Sequence, residues 1–356
     1  MSLTQLARPE VLDLVAYQPA NYEAGLVRLN ANEAPWRSSQ DHCDRPLNYY
    51  PPARPGALAK QLAELYGVSG DEVFVTRGTS EAIDLMIRCF CRPGVDHVVI
   101  CPPTFGMYEV YAGIQGARIS RIPLQGDALR LPVDSIVQRW DDTTRLVFVT
   151  TPNNPTGHSL DVKDIERLAI ELSGTGIVVI DAAYVEFANP EALMHLLRHD
   201  NVVVLRTLSK AFGLAGVRCG ALIGNPTLLN LVEKVMPPYA LPTPTIEQSI
   251  AALLSDGFAR MPQRIATLIG ERERMRQSLA NLACVARVYP SDANFLLVQC
   301  HQPHTVLTAA RDAGILLRDF SNNPLTPNAV RITIGGAQTN DSLLAAMAGI
   351  EEQALP

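Results

Sequence analysis

Five short stretches carry side chains that do chemistry. Lys210 stands just beyond the apolar run "NVVVL" at 201–205, in "RTLSKAFGLAGVRCG". An amine there is costly to bury unless it is paired or chemically used. Asp181 closes the run "GIVVI", and Tyr184 follows three residues later. A proline-bracketed loop, "TPNNPTG" at 151–157, presents Asn153 and Asn154. After "EVFVT" come Gly78, Thr79 and Ser80, which permit a tight turn into a helix whose free amides suit an anion. Thr207, Ser209 and Arg218 surround the lysine in sequence and add two hydroxyls and a guanidinium. Taken singly, each has a plain structural reading: a helix cap, a turn aspartate, a loop-shaping Asn-Pro pair, a lysine reaching solvent.

The elements that must position them are legible. Between about 56 and 225, short β-branched runs at 72–76, 97–101, 145–150, 176–181 and 201–207 alternate with helical spacing at 56–67, 80–90 and 162–173. This pattern predicts an α/β fold whose large domain has a mostly parallel sheet covered by helices on both faces. The tail reads as a long helix near 257–282 followed by "VARVYP", "NFLLVQC", "GILLRD" and "VRITIG", hence a smaller α+β C-terminal domain. The expected division is an arm over 1–35, a large domain over 36–245 and a small domain over 246–356. "MPPYALPTPT" marks the second boundary. The poorly periodic arm is expected to pack on another subunit or on the small domain.

Composition narrows the classes. The chain has 356 residues, 47% hydrophobic and 19% charged, which describes a well-packed globular protein. A net charge of −6 argues against a nucleic-acid partner. No long apolar run implies a membrane span, and the first residues lack the pattern of a signal peptide. The 7 cysteines have no C-x-x-C pair and suit reduced thiols in a cytoplasmic protein. "HQPH", with His301 and His304, lacks companions for a metal site. No G-x-G-x-x-G follows the first strand, which disfavours a dinucleotide fold.

In an open α/β sheet, ligands bind beyond the carboxyl ends of the strands. An anion nest, an amide, a carboxylate and an amine all fall at that edge. The set fits pyridoxal 5'-phosphate. Lys210 would condense with its aldehyde, and Asp181 would face the pyridine nitrogen. Asn154 and Tyr184 would hydrogen-bond the phenolate oxygen, and Phe105 would stack on the ring. Gly78, Thr79, Ser80, Thr207, Ser209 and Arg218 would hold the phosphate.

With those residues in place, the sequence resembles the fold-type I aminotransferases, and among them the histidinol-phosphate aminotransferases. "RLNANEAPW", "NYYPP", "CPPTFGMY", "TPNNPTG", "DAAYVEF", "SKAFGLAGVRCG", "ILLRD" and "VRITIG" carry the resemblance in order along nearly the whole chain. The resemblance implies that Lys210 is the Schiff-base lysine and that Arg318 and Arg331 bind substrate. Asn32 of "LNANE" also falls on the substrate side. The chain is further expected to form a homodimer in which Tyr50 reaches the partner's cofactor phosphate. Three departures stand out: Ala182 replaces a usual Glu, Phe105 a frequent Tyr, and the segment 17–25 lacks an arginine that some members carry.

The implied reaction moves an amino group from L-glutamate, leaving 2-oxoglutarate, to imidazole-acetol phosphate, giving L-histidinol phosphate. Lys210 would act as the general base. Arg331, helped by Arg318, is expected to take either a carboxylate or a phosphate. The same lysine and fold also suit a decarboxylase of a phosphorylated amino acid such as threonine phosphate, or an aminotransferase for aromatic or branched substrates. A non-catalytic effector domain is disfavoured by the acidic charge and by the lack of an added DNA-binding module.

Overall fold

A computed structural model of the chain describes residues 3–20 and 26–353. Part of the segment 17–25 therefore lies outside the described residues. Seven strands form the large sheet: β1 Val73–Thr76, β2 His97–Ile100, β3 Arg118–Arg121, β4 Thr144–Thr150, β5 Ile177–Asp181, β6 Val202–Thr207 and β7 Gly220–Gly224. Their order is β1-β7-β6-β5-β4-β2-β3. β3, β2, β4, β5 and β6 pair in parallel, while β7 runs antiparallel to both β6 and β1. The expected mostly parallel sheet is present, with two strands more than the apolar runs announced.

Both additions have physical reasons. β3, "RISR", is a short edge strand with exposed arginines at its ends, as edges that resist unwanted pairing tend to be. β7, "GALIG", begins on a glycine because backbone crowds it. A Cβ at Gly220 would lie 2.8 Å from Gly78 Cα and 2.9 Å from the Arg206 carbonyl oxygen. Residues 208–219 form a loop with only a short helical turn at Ala215–Val217 and no crossover helix, and the chain returns antiparallel.

Two apolar layers sandwich the sheet. One gathers Phe90, Tyr108, Phe148 and Leu205 under the helix Thr79–Phe90. The other gathers Val147, Ile165, Leu168 and Ile180 under the helix Val162–Glu171. The start of the chain joins the first layer. Leu6 and Val11 are buried there, the Arg8 amide donates to the Cys89 carbonyl at 3.1 Å, and Lys234 Nζ donates to the Val11 carbonyl at 3.2 Å. Thus residues 3–12 pack on the large sheet and its helices within their own chain. Leu3, Leu6, Ala7 and Val11 recur three and four apart, a short helical stripe that the surrounding polar residues obscure.

The small sheet comprises β8 Val285–Val288, β9 Phe295–Cys300, β10 Arg318–Phe320 and β11 Ala329–Thr333. It is wholly antiparallel in the order β10-β11-β9-β8. Three strands fall on the expected segments, β10 takes only Arg318 and Asp319 of "GILLRD" and extends to Phe320, and the long helix runs Met261–Ala280. The expected boundary after residue 245 falls inside the helix Thr243–Leu254. Its buried Ile246 and Leu253 share a core with Leu58 and Leu62 of the large unit. The two sheets are stitched near the "TPNNPTG" loop. The Asp292 amide donates to the Gly157 carbonyl at 2.7 Å, and the Ser159 amide to Asp292 Oδ2 at 3.0 Å.

Candidate active site

Asp181 ends β5 and is 2% exposed. Its Oδ1 accepts the Ala183 amide at 3.2 Å and its Oδ2 accepts the Tyr108 hydroxyl at 2.8 Å. Burial pushes its carboxyl above the ordinary range, while the Tyr108 hydroxyl, the Ala183 amide and the Lys210 charge pull it back down. Those three partners are what a buried carboxylate needs to remain charged.

Lys210 follows β6 in the loop that leads to β7. Solvent can reach its side chain, yet it sits in a cleft whose walls displace much of the surrounding water. That desolvation lowers its pKa; the Arg331 and Arg218 charges act in the same direction, and Asp181 opposes them. The ammonium lies 5.5 Å from the centre of the Tyr184 ring. An amine so placed loses its proton more readily than a free lysine does, which suits both a nucleophile and a base.

Asn154 and Tyr184 meet between these groups. Asn154 Nδ2 donates to Tyr184 Oη at 3.4 Å, and Arg331 Nη1 donates to Asn154 Oδ1. Burial pushes the Tyr184 phenol up to about 12, against the pull of the Arg331 charge. Asn153 turns away: its Nδ2 donates to the Pro103 carbonyl at 2.8 Å and to Thr156 Oγ1 at 2.7 Å. It shapes the loop, and Asn154 alone faces the cleft.

An anion cradle closes one end. Gly78 has φ +84° and precedes the helix Thr79–Phe90. Arg218, itself at φ +59°, lays its guanidinium across Gly78; a Cβ there would stand 2.7 Å from Arg218 Nη2. The same guanidinium donates to Ser209 Oγ at 3.3 Å, and Thr207 Oγ1 donates to Ser209 Oγ at 3.0 Å. Helix amides, two hydroxyls and one fixed positive charge converge without a carboxylate among them.

These side chains surround one cavity of about 160 Å³. Thr79, Ser80, Phe105, Asn154, Asp181, Tyr184, Thr207, Ser209, Lys210 and Arg218 line it. A larger cavity of about 890 Å³ lies elsewhere, over the buried ion pair Arg206–Glu186 and apolar walls that include Phe212 and Phe258. Size favours the larger one, but the convergence of amine, carboxylate and anion cradle occurs only in the smaller, and it decides the assignment.

Arg331 reaches the cavity through Asn154, and its guanidinium lies 5.1 Å from the Phe295 ring centre and 5.4 Å from that of Phe320. Arg318 pairs with it in register on β10 and is exposed; no ion pair to Asp319 forms among the described residues. Instead Asp319 Oδ1 accepts the Ser321 amide at 2.8 Å. Tyr50 is exposed and stacks on Tyr239 with ring centres 4.7 Å apart. Asn32 is exposed at φ +54°. Neither Tyr50, Asn32 nor Arg318 lines the cavity of the single chain. Ala182 is fully buried among apolar side chains, where a methyl packs without cost.

Tyr108 and Thr150 escaped the sequence reading. Tyr108 is fully buried, stacked on Phe148 at 4.7 Å and edge-on to Phe105 at 5.7 Å. Within "CPPTFGMY" it looks like one more core aromatic; only its hydroxyl, aimed at Asp181, distinguishes it.

Comparison with known proteins agrees with this geometry. The family model described as "Aminotransferase class I and II" matches residues 25–347. The histidinol-phosphate aminotransferase of Stenotrophomonas maltophilia is 41% identical over 348 residues, covering 96% of this chain and 95% of that one. That of Salmonella typhimurium is 38% identical over 351 residues, covering 98% and 97%. Among solved structures, the histidinol-phosphate aminotransferase of Sinorhizobium meliloti in complex with pyridoxal-5'-phosphate superposes with a TM-score of 0.77. It is 24% identical, with 87% of this chain and 84% of that chain covered. The Clostridium acetobutylicum enzyme superposes equally well at 21% identity, over 86% and 91% of the two chains. A buried carboxylate, a deprotonation-prone lysine and an anion cradle at one sheet edge, on a chain matched over nearly its full length, place it in the class I and II aminotransferase family.

Proposed function

We propose that the chain is a pyridoxal-phosphate-dependent aminotransferase that interconverts L-histidinol phosphate plus 2-oxoglutarate with imidazole-acetol phosphate plus L-glutamate. The observation that carries the chemistry is the meeting of Lys210, Asp181, Asn154 and the Gly78–Arg218 cradle in one cavity. The named relatives, near 40% identity over the whole chain, supply the substrate class.

The residues fit the cofactor. Arg218, Thr207, Ser209 and the amides at Thr79 and Ser80 would hold a phosphate, and the glycine at 78 leaves the backbone open to it. Phe105 would lie on the ring, Asp181 against the pyridine nitrogen, and Asn154 with Tyr184 at the phenolate oxygen. When bound, pyridoxal phosphate supplies an aldehyde for an amine and a ring that draws electrons from the substrate α-carbon.

Lys210 Nζ would hold the aldehyde, and its amine is the base placed to move the α-carbon proton. Its lowered pKa leaves more of the base form available near neutrality. Arg331 binds the oxyanion of either substrate: the carboxylate of glutamate or the phosphate of histidinol phosphate. Its register partner Arg318 puts a second guanidinium on the same sheet face, an arrangement unfavourable by itself that a doubly charged phosphate relieves.

Completion of the site by a second copy fits the exposed apolar run of the early chain. Val15, Tyr17, Leu26, Val27, Leu29 and Trp36 are all exposed, and Tyr50, exposed beside Tyr239, would reach a neighbour's cofactor phosphate. Seven free cysteines, five of them buried, agree with a reducing compartment, the cytoplasm. No helix among the described residues is long and apolar enough to cross a membrane.

The test is direct. Purified chain saturated with pyridoxal phosphate, given L-histidinol phosphate and 2-oxoglutarate, should form L-glutamate. Release of CO2 from threonine phosphate in place of that transfer, or amino transfer from aromatic amino acids alone, would overturn the substrate assignment.

A further inference from the structure

Asp181 is the end of a line of hydroxyls. Thr104 Oγ1 lies 3.1 Å from Thr150 Oγ1, Thr150 Oγ1 lies 2.7 Å from Tyr108 Oη, and Tyr108 Oη lies 2.8 Å from Asp181 Oδ2. Three strand ends supply it: Thr104 and Tyr108 follow β2, Thr150 closes β4 and Asp181 closes β5.

The direction of every bond follows from the last one. An ionised carboxylate only accepts, so the single proton of Tyr108 points at Asp181. Tyr108 Oη then accepts from Thr150, and Thr150 accepts from Thr104. Each hydroxyl polarises the next toward the carboxylate, and cooperativity strengthens the terminal bond. The phenol cannot give its proton away: burial, and after it the Asp181 charge, raise its pKa well above the ordinary value. Nor can its ring swing aside, since it is fully buried between Phe148 and Phe105. A donor locked in place on one oxygen, with the Ala183 amide on the other, fixes the plane of the carboxylate.

We infer that Tyr108 is a positioning residue: with Thr150 and Thr104 behind it, it holds Asp181 ionised and oriented toward the pyridine nitrogen of the cofactor. This rests on the proposed cofactor reading. Tyr108 touches neither the cavity nor the reacting atoms, and it acts only through Asp181.

The test replaces the hydroxyl and keeps the ring. Tyr108→Phe and, separately, Thr150→Val are purified without cofactor. Pyridoxal phosphate labelled with nitrogen-15 in its ring is then titrated in. Affinity is read by fluorescence quenching, and protonation of the ring nitrogen by its chemical shift. Loss of a hydrogen bond to a charged group should weaken affinity about ten- to hundredfold in Tyr108→Phe. The nitrogen signal should move toward the unprotonated position. Thr150→Val should shift both in the same direction by less. With substrate, kcat should fall more than KM rises. Wild-type affinity and chemical shift in Tyr108→Phe would overturn the inference and leave Tyr108 as core packing. Failure of the wild-type chain to bind pyridoxal phosphate at all would instead remove the cofactor reading on which it rests.

Discussion

Arg318 and Arg331 stand directly opposite one another in the pairing of β10 with β11. Opposed residues of adjacent strands point to the same face, so two guanidiniums share one side of the small sheet. Burial and then the Arg318 charge lower the Arg331 pKa, against the pull of Tyr184, although a guanidinium remains charged at any physiological pH.

Arg331→Lys keeps the charge and loses the planar fork. Forfeiting one charge-assisted hydrogen bond is worth roughly 1.5–3 kcal/mol. The expected outcome is a fall of about ten- to hundredfold in kcat/KM for both L-glutamate and histidinol phosphate, measured by steady-state kinetics. Arg318→Lys should leave glutamate nearly unchanged and penalise the phosphorylated substrate. Equal losses on both substrates for Arg318→Lys would remove its assignment to phosphate.

Asp181 predicts a conflict between stability and function. Burial raises its folded-state pKa, so as pH climbs above the ordinary 3.8 the unfolded chain ionises first. The ionised carboxylate therefore costs the cofactor-free protein stability at neutral pH, and the cost disappears in acid, where both states are protonated. Asp181→Asn without cofactor should melt no lower than wild type at pH 7, with the difference shrinking toward pH 4. Calorimetry across that range checks the sign. Its affinity for pyridoxal phosphate should fall by about a hundredfold.

Gly78→Ala adds a methyl at φ +84° and within 2.7 Å of Arg218 Nη2. With ψ 171° that backbone is essentially reserved for glycine and costs any other residue about 1–3 kcal/mol. Displacing the guanidinium should cost more where the cofactor phosphate binds. A denaturation midpoint lowered slightly, with pyridoxal phosphate affinity lowered about tenfold, is the expected pair of results.

A shared site can be tested by mixing two inactive chains, Lys210→Ala and Tyr50→Ala. If Tyr50 serves the neighbouring subunit, each mixed dimer has one site with both lesions and one with neither. Random reassociation then restores about a quarter of the wild-type activity. If Tyr50 serves its own chain, every site keeps one lesion and mixing restores nothing.

The strands that carry the site were legible because each is buried on both faces and reads as an unbroken apolar run; "RLVFVT", "GIVVID" and "NVVVLRT" could not be mistaken. The polar residues ending those runs were legible for the same reason, since the fold places strand ends at one edge. β7 was hidden because its first glycine, Gly220, answers to the backbone of Gly78 and Arg206, a contact between distant segments. Tyr108 was hidden because a buried aromatic and a hydrogen-bond donor share one letter. The N-terminal stripe of Leu3, Leu6 and Val11 was too short for its period to stand out. Tyr50, Asn32, Arg318 and Arg331 came from resemblance alone; the single chain leaves the first three outside the cavity and brings Arg331 to it through Asn154.

The lysine-bearing loop leaves β6 and returns at once as β7, and both strands have neighbours on each side in the sheet interior. Neither end of that loop can loosen by fraying at an edge. The strands that anchor it belong to the central ladder, the part of a domain that opens only at the highest cost. The loop that carries Lys210 is thus moored at both ends to the most durable part of the molecule, and a gain or loss of even one residue there must be absorbed within the loop.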